Sequence, residues 1–176
     1  MSARRDFLRV VAGQAVSGIG DGVNRIAVLW WARQTTGSDA IVVLVALATV
    51  LPTLAAAPLA GWLVDRLPRR ALMLASDLVR FGTSGFLAWA LWADVASTTM
   101  VVVVAVVAAA SAAVFDPALL ASVTLLVPEE ELVSANSLLG GTGAVAGIIG
   151  PALGGVLVGI TSSGTALFID ALTFLV

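Results

Sequence analysis

Long apolar segments separated by short polar turns constrain the fold of this chain most strongly. A helix needs about 20 apolar residues to cross the roughly 30 Å of hydrocarbon in a bilayer. We predict spanning helices over five segments and an incomplete helix over a sixth, at residues 7–31, 40–63, 71–92, 99–115, 132–160 and 164–176. The pattern therefore predicts an all-α polytopic membrane protein with a bundle of six helices.

The composition supports a membrane environment. Hydrophobic residues make up 60% of the chain and charged residues 11%, whereas soluble domains have roughly 45–50% and about 25%. We therefore expect membrane lipid as a partner, and a net charge of -2 gives no reason to expect nucleic acid. The chain has no cysteine and no histidine, which excludes a thiolate metal site and the commonest catalytic base. We predict no metal, no cofactor and no enzyme activity.

The sixth apolar segment is too short to span. Residues 164–176 would rise only about 20 Å as a helix, against roughly 30 Å of hydrocarbon. We therefore expect the sixth helix to be truncated.

Arginines lie mainly on one side of the predicted bundle, and this sets its expected orientation, because cytoplasmic loops carry an excess of Lys and Arg. The opposite loops hold only Arg33. We predict a multi-pass protein of the plasma (inner) membrane with a cytoplasmic N-terminus. The loop at 128–131 lies on the same side without an arginine. The arginines on the cytoplasmic side are Arg4, Arg5, Arg9, Arg66, Arg69 and Arg70.

A polar stripe marks the first helix. Gln14, Gly18, Asp21 and Arg25 follow one another at spacings of three or four residues and share one face, with Asn24 beside them. Polar residues within a spanning helix face a bundle interior or a watery cavity. Asp21 is then either a group that binds protons or attracts a cationic drug, or one half of a neutral intrahelical pair with Arg25.

Other charges allow more than one interpretation. Asp77 and Arg80 are three residues apart on the third helix, a spacing that favours a pair along one face; a contact with Asp65 or Asp116 at the cytoplasmic end is the alternative. Asp116, which precedes a proline, is interpreted as a helix-end feature. Asp170 is either a cap-region group or a cavity residue.

The loop between the second and third helices carries a motif that we interpret first as a topology anchor with snorkelling arginines. Its pattern, Gly61-x-x-x-Asp65-Arg66-x-x-Arg69-Arg70, resembles the loop between helices two and three of the major facilitator superfamily. That resemblance implies a cytoplasmic gate, in which Asp65 pairs across to a neighbouring helix in one conformation and is released in the other. The residues assigned to this gate are Gly61, Asp65, Arg66, Arg69, Arg70, Asp77 and Arg80.

Two further motifs support the same resemblance. Gly150-Pro151-x-x-Gly154-Gly155 resembles the fifth-helix motif of drug/proton antiporters in that superfamily. It should distort the fifth helix and pack it closely against the first, or in addition seal the substrate path. The third match is to the branch that contains macrolide efflux proteins and the enterobactin exporter. It consists of Gly20-Asp21, Thr36-Gly37-Ser38 and Ala135-Asn136-Ser137-Leu138.

The resemblance covers the whole chain but only the N-terminal half of a twelve-helix transporter, so the C-terminal half is expected to be absent. It implies secondary active transport by alternating access, with proton-coupled efflux of amphipathic small molecules or drugs. The expected partners are a small-molecule substrate, protons and the missing half. Coupling of protons to substrate is assigned to Gln14, Asp21, Asn24 and Arg25.

Two other functional classes remain open. The chain could be a membrane fragment that does not transport, because half of the binding cavity would be missing. It could also be a half-size membrane protein that acts through dimerisation.

Overall fold

The chain forms a bundle of α-helices joined by short turns. The structure is a computed structural model that describes the backbone of residues 2–176 and the side chains of residues 4–176. These residues contain no strand, so the predicted all-α fold class is confirmed. The helices are α1 (Ser2–Thr36), α2 (Asp39–Arg66), α3 (Arg69–Trp92), α4 (Thr98–Leu126), α5 (Leu132–Ile160) and α6 (Ser163–Thr173), with a 3-10 turn at Glu129–Glu131 before α5.

Several helices end at residues other than those predicted. α1 extends beyond the predicted 7–31 at both ends, and α6 ends before residue 176. α4 continues through Pro117 to Leu126, so the predicted end at residue 115 and the interpretation of Asp116 as a helix-end feature are wrong. A proline removes one backbone hydrogen bond, and helices in lipid tolerate this loss when neighbouring groups compensate.

Turn residues reverse the chain between helices. The side chains of Ser97 and Ser162 cap α4 and α6 by accepting hydrogen bonds from the amides of Met100 and Thr165, each at 3.2 Å. Such caps satisfy amides that have no partner inside the helix. Gly37 adopts a φ of 63° between α1 and α2, a conformation that glycine reaches without steric penalty. Each helix can therefore return across the bundle.

α1 and α4 are the helices that contact most of the other helices. α1 packs against α5 and α6, α3 packs against α4 and α6, and α2 packs against α4. At one end, Phe7, Val123 and Ala135 share an apolar cluster, which joins the start of α1 to the end of α4 and the start of α5. A second cluster, which includes Ala27 and Leu87, joins α1 to α3 nearer the other end.

The outer surface of the bundle is apolar. Leu54, Leu125, Val133 and Ile148 are each at least 69% exposed, and an apolar surface of this extent is a membrane-interaction surface. Three helical segments are long and apolar enough to cross a membrane: Asp39–Arg66, Thr98–Leu126 and Glu129–Ile160. The chain is a multi-pass membrane protein, as the sequence predicts.

Candidate functional site

A half-open cavity of about 260 Å³ lies among five of the helices. α1, α3, α4 and α6 contribute its charged side chains, and α2 contributes the hydroxyls of Thr49 and Thr53. Alanines of α4 form much of one wall, and Phe174 adds an aromatic ring. The cavity therefore combines small apolar walls with polar groups, as binding sites for small molecules do. Its charged side chains are Asp21, Arg25, Arg80, Asp116 and Asp170.

An ion pair between α1 and α3 crosses the cavity. Nη2 of Arg80 donates to both carboxylate oxygens of Asp21. The side chain of Arg80 is 7% exposed, whereas that of Asp21 is 42% exposed, so the carboxylate is the more accessible partner. The ring centroid of Phe174, the residue directly after α6, lies 4.2 Å from the guanidinium carbon of Arg80, a distance typical of a cation–π contact. We call Asp21, Arg80 and Phe174 the ion-pair layer.

A second group of polar side chains connects the same three helices. Oδ2 of Asp170 accepts hydrogen bonds from Nδ2 of Asn24 at 2.6 Å and from Oγ of Ser84 at 2.7 Å. Nδ2 of Asn24 also lies 3.0 Å from Oγ of Ser84, to which it donates. Asp170 is 0% exposed, so these two donors replace the water that a carboxylate would otherwise bind. We call Asn24, Ser84 and Asp170 the carboxyl layer.

The two layers are stacked because their members are one helical turn apart. Arg80 and Ser84 are four residues apart on α3. Phe174, which keeps helical dihedral angles directly after α6, is four residues beyond Asp170. Residues with this spacing lie on one face of a helix. α6 runs antiparallel to α3, so Phe174 meets Arg80 while Asp170 meets Ser84. The packing of three helices thus places two carboxylates and one cation in adjacent layers.

The remaining residues of the predicted coupling set are placed differently. Arg25 is exposed and lines the cavity, but Asp21 pairs with Arg80, so the alternative of an Asp21–Arg25 pair is wrong. Gln14 is half-buried and lies outside the residues that line the cavity. The polar stripe on α1 therefore lies only partly in the cavity: Asp21 and Arg25 line it, whereas Gln14 lies two helical turns before Asp21.

The predicted gate residues do not form one cluster. Arg80 belongs to the ion-pair layer, and its predicted pair with Asp77 is wrong, because Asp21 accepts its hydrogen bonds instead. Asp77 is half-buried on α3. The alternatives, which place Arg80 against Asp65 or Asp116, are likewise wrong for this conformation.

The segment 61–70, called the α2–α3 loop below, comprises the end of α2, residues 67–68 and the start of α3, so the predicted helix ends at 63 and 71 are wrong. It is mostly exposed. Asp65 and Arg70 are exposed, and Arg66 lies over the ring of Trp62 at 4.5 Å. Nη1 of Arg69 donates to the carbonyl of Ala121 in α4 at 2.6 Å. Arg69 is thus the loop arginine that connects α3 to the neighbouring helix.

The fifth-helix motif packs directly on α1. A Cβ atom at Gly150 would lie 2.6 Å from the carbonyl oxygen of Ile19, and one at Gly154 would lie 2.9 Å from Cα of Val23. A Cβ atom at Gly22 would lie 2.6 Å from Cδ of Pro151. Only glycine permits this approach of two backbones. Gly155 differs, because a Cβ there would have nothing within 4 Å among the described residues.

Sequence reasoning missed part of the site. It left Asp170 between a cap and a cavity residue, and the structure places it in the cavity wall. Ser84 and Phe174 were not singled out. A signal for Asp170 was available, since it is the only charged residue in the last apolar segment and charged groups within spanning helices are usually functional. Ser84 and Phe174 offered no comparable signal, because single serines and phenylalanines are common in such helices.

Residues 10–176 match the sequence profile of the Major Facilitator Superfamily. This match covers nearly the whole chain and agrees with the all-α bundle and with the motifs on α2, α3 and α5. The chain belongs to the Major Facilitator Superfamily.

Two curated relatives are named as efflux proteins. The chain is 29% identical to macrolide efflux protein A of Streptococcus pyogenes over 166 residues, which cover 94% of this chain and 41% of the relative. It is 32% identical to the multidrug efflux pump Tap of Mycobacterium tuberculosis over 182 aligned positions, which cover 98% of this chain and 42% of the relative. The chain thus spans about two fifths of the length of these relatives.

Proposed function

We propose that this chain forms one helix bundle of a secondary active exporter of amphipathic small molecules. The superfamily membership supports transport, and the names of two relatives, which describe macrolide and multidrug efflux, favour export. The half-open cavity supports a role for a second bundle, which would complete its wall. In this mechanism the two bundles rock against each other, so that the cavity opens to one side of the membrane at a time.

We also propose that proton entry drives export. The single observation that carries this proposal is the ion pair of Asp21 with Arg80 inside a cavity that a small molecule can enter. A proton or a cationic group of the substrate can compete with Arg80 for the carboxylate of Asp21, which is the more accessible partner. Binding of the proton then favours release of the substrate, and binding of the substrate favours release of the proton. Arg25 adds a positive charge to the same cavity.

The α2–α3 loop is proposed to act at the cytoplasmic end. The arginines of this loop and of the N-terminus favour a cytoplasmic position for both in the plasma membrane. Asp65 is exposed in this conformation, which leaves it available to pair with another helix when the cavity changes sides.

The test replaces Asp21 with Asn in the transporter expressed from its complete reading frame. We expect Asp21→Asn to abolish export driven by a pH gradient in inside-out vesicles, because an amide cannot bind and release a proton at neutral pH. Asp21→Glu, which keeps the acid, should retain partial activity. Asp6→Asn is the matched control, since Asp6 pairs with Arg9 at the exposed end of α1 at 3.2 Å.

Export that persists in Asp21→Asn at normal membrane abundance would remove Asp21 from the coupling mechanism. If the wild-type protein itself exports nothing under a pH gradient, the transport proposal fails, and the non-transporting fragment or the half-size dimer becomes the better interpretation.

A further inference from the structure

Asp170 has one carboxylate oxygen that is satisfied and one that is not. Oδ2 accepts the hydrogen bonds of Asn24 and Ser84, whereas Oδ1 is buried and has no hydrogen-bond partner among the described residues. A buried carboxylate oxygen without a donor is unfavourable. This free-energy cost is removed when Oδ1 carries a proton, because the acid is then neutral and its O–H group can donate to a nearby acceptor.

The surroundings of Oδ1 can supply that acceptor. Oδ1 faces Gly20 of α1, where a Cβ atom would lie 2.7 Å from it, and the hydroxyl of Thr173 lies against the same position. Thr173 Oγ1 donates its own proton to the carbonyl of Asp170 at 2.7 Å. Thr173 Oγ1 makes no hydrogen bond with Oδ1 in this conformation, so a side-chain rotation is needed before its lone pairs can accept a proton from Oδ1. Gly20 leaves the space that both oxygens occupy.

Charges around Asp170 make its protonation responsive to the rest of the cavity. The cavity holds Asp21 and Arg25 of α1, Arg80 of α3 and Asp116 of α4, and Asp77 lies three residues before Arg80 on α3, outside the cavity lining. α5, which also packs on α6, carries no charged residue. When Arg80 is fully paired with Asp21 it offers less compensation to Asp170. A change of charge in the ion-pair layer therefore alters the electrostatic potential at Asp170, one helical turn away in the carboxyl layer.

We propose that Asp170 is a proton-binding site of this protein, in which Oδ1 takes up the proton and the carboxyl layer holds the group in place. The proton comes from water in the cavity, the carboxylate becomes a neutral acid, and the proton returns to water when the acid ionises. Asn24 and Ser84 are positioning residues that stabilise the ionised form through Oδ2. The use of this proton in transport rests on the proposed function, but its binding does not.

The test is infrared difference spectroscopy of the purified chain in lipid nanodiscs during a pH titration. We expect a band of a protonated carboxyl group that disappears on raising the pH and that is absent in Asp170→Asn. The band should remain in Asp6→Asn, the matched control, because Asp6 pairs with Arg9 at the start of α1, away from both layers, and Asp77→Asn identifies any band that Asp77 itself contributes. It should also remain, at a changed midpoint, in Asp21→Asn. A band that persists unchanged in Asp170→Asn would overturn the proposal.

A second variant keeps the carboxyl group in place if Asp170→Asn does not fold. Ser84→Ala removes one donor to the ionised carboxylate, so the protonated band should persist to higher pH. An unchanged midpoint in Ser84→Ala would contradict the proposal. The outcomes also separate the two proposals: a titrating Asp170 in a protein without proton-driven export refutes only the proposed function. Proton-driven export with the band retained in Asp170→Asn refutes only the Asp170 site.

Discussion

The cavity and the α2–α3 loop contain the same kinds of charged side chain in opposite settings. In the cavity, Arg80 is nearly buried and bonded to Asp21. In the loop, Asp65 and Arg70 are exposed, and the principal contact to another helix is that of Arg69 with a carbonyl of α4. The segment with the clearest family motif therefore has the fewer tertiary constraints in this conformation. In the proposed gate, charges that exchange partners require such freedom, whereas the charges proposed to bind a proton or a substrate must be held in position.

The largest expected difference between the two regions is electrostatic coupling. Asp21→Asn leaves Arg80 buried without its counter-charge, and loss of one partner of a buried pair costs about 3–5 kcal/mol. Because Asp21 is partly exposed, we expect a value near the lower end. The double variant Asp21→Asn/Arg80→Gln should lose less than the sum of the single variants. The measurement is the free energy of unfolding in mixed micelles.

The loop provides the matched control for this cycle. Asp65→Asn and Arg66→Gln should be additive within about 0.5 kcal/mol, because both side chains are exposed and consecutive residues of a helix do not face each other. Additive effects in the cavity pair, or strong coupling in the loop pair, would contradict the comparison.

A smaller difference is expected between glycines of the two regions. Gly22→Ala places a Cβ atom 2.6 Å from Cδ of Pro151 and 2.7 Å from Cα of Gly150, next to Asp21 on α1. We expect a loss of about 1–3 kcal/mol from overpacking. Gly61→Ala has nothing within 4 Å among the described residues, so it should be neutral or gain up to about 1 kcal/mol from helix propensity. Thermal unfolding of the two variants compares them directly, and equal stability would show that α1 and α5 can separate without penalty.

The smallest effect on stability is expected at Asp65. Asp65→Ala removes an exposed side chain, and such changes usually alter stability by less than about 0.5 kcal/mol. The rate of export should nevertheless fall, because the proposed gate loses the group that changes partners. Transport turnover normalised to membrane abundance is the measurement. If the loss of export only follows a loss of protein, the loop is an anchor and not a gate.

The fold could be predicted from the sequence because membrane-spanning helices are recognisable by their length and their apolar composition. The turns at Gly37, Ser97 and Ser162 lie between apolar segments, and each one joins two helices in the structure. The end of α4 could not be predicted in the same way. Pro117 normally indicates a break, but in a bundle the neighbouring helices can compensate for its missing hydrogen bond.

The partners in the site could be predicted only in part. Periodicity placed Asp21 and Asn24 on interior positions of α1, and the structure puts both in the cavity. Spacing along one helix suggested Arg25 for Asp21 and Asp77 for Arg80, whereas the real pair joins α1 to α3. Spacing describes neighbours within a helix, while a contact between helices depends on their rotation and vertical offset. Asp170 remained undecided for this reason.

The close contact of α1 with α5 has a mechanical consequence. Where Gly150 meets the carbonyl of Ile19 and Gly154 meets Val23, backbone touches backbone, and there is no flexible side chain to absorb a displacement. We therefore expect α1 and α5 to move as one rigid unit, so that a displacement at Asp21 also displaces α5.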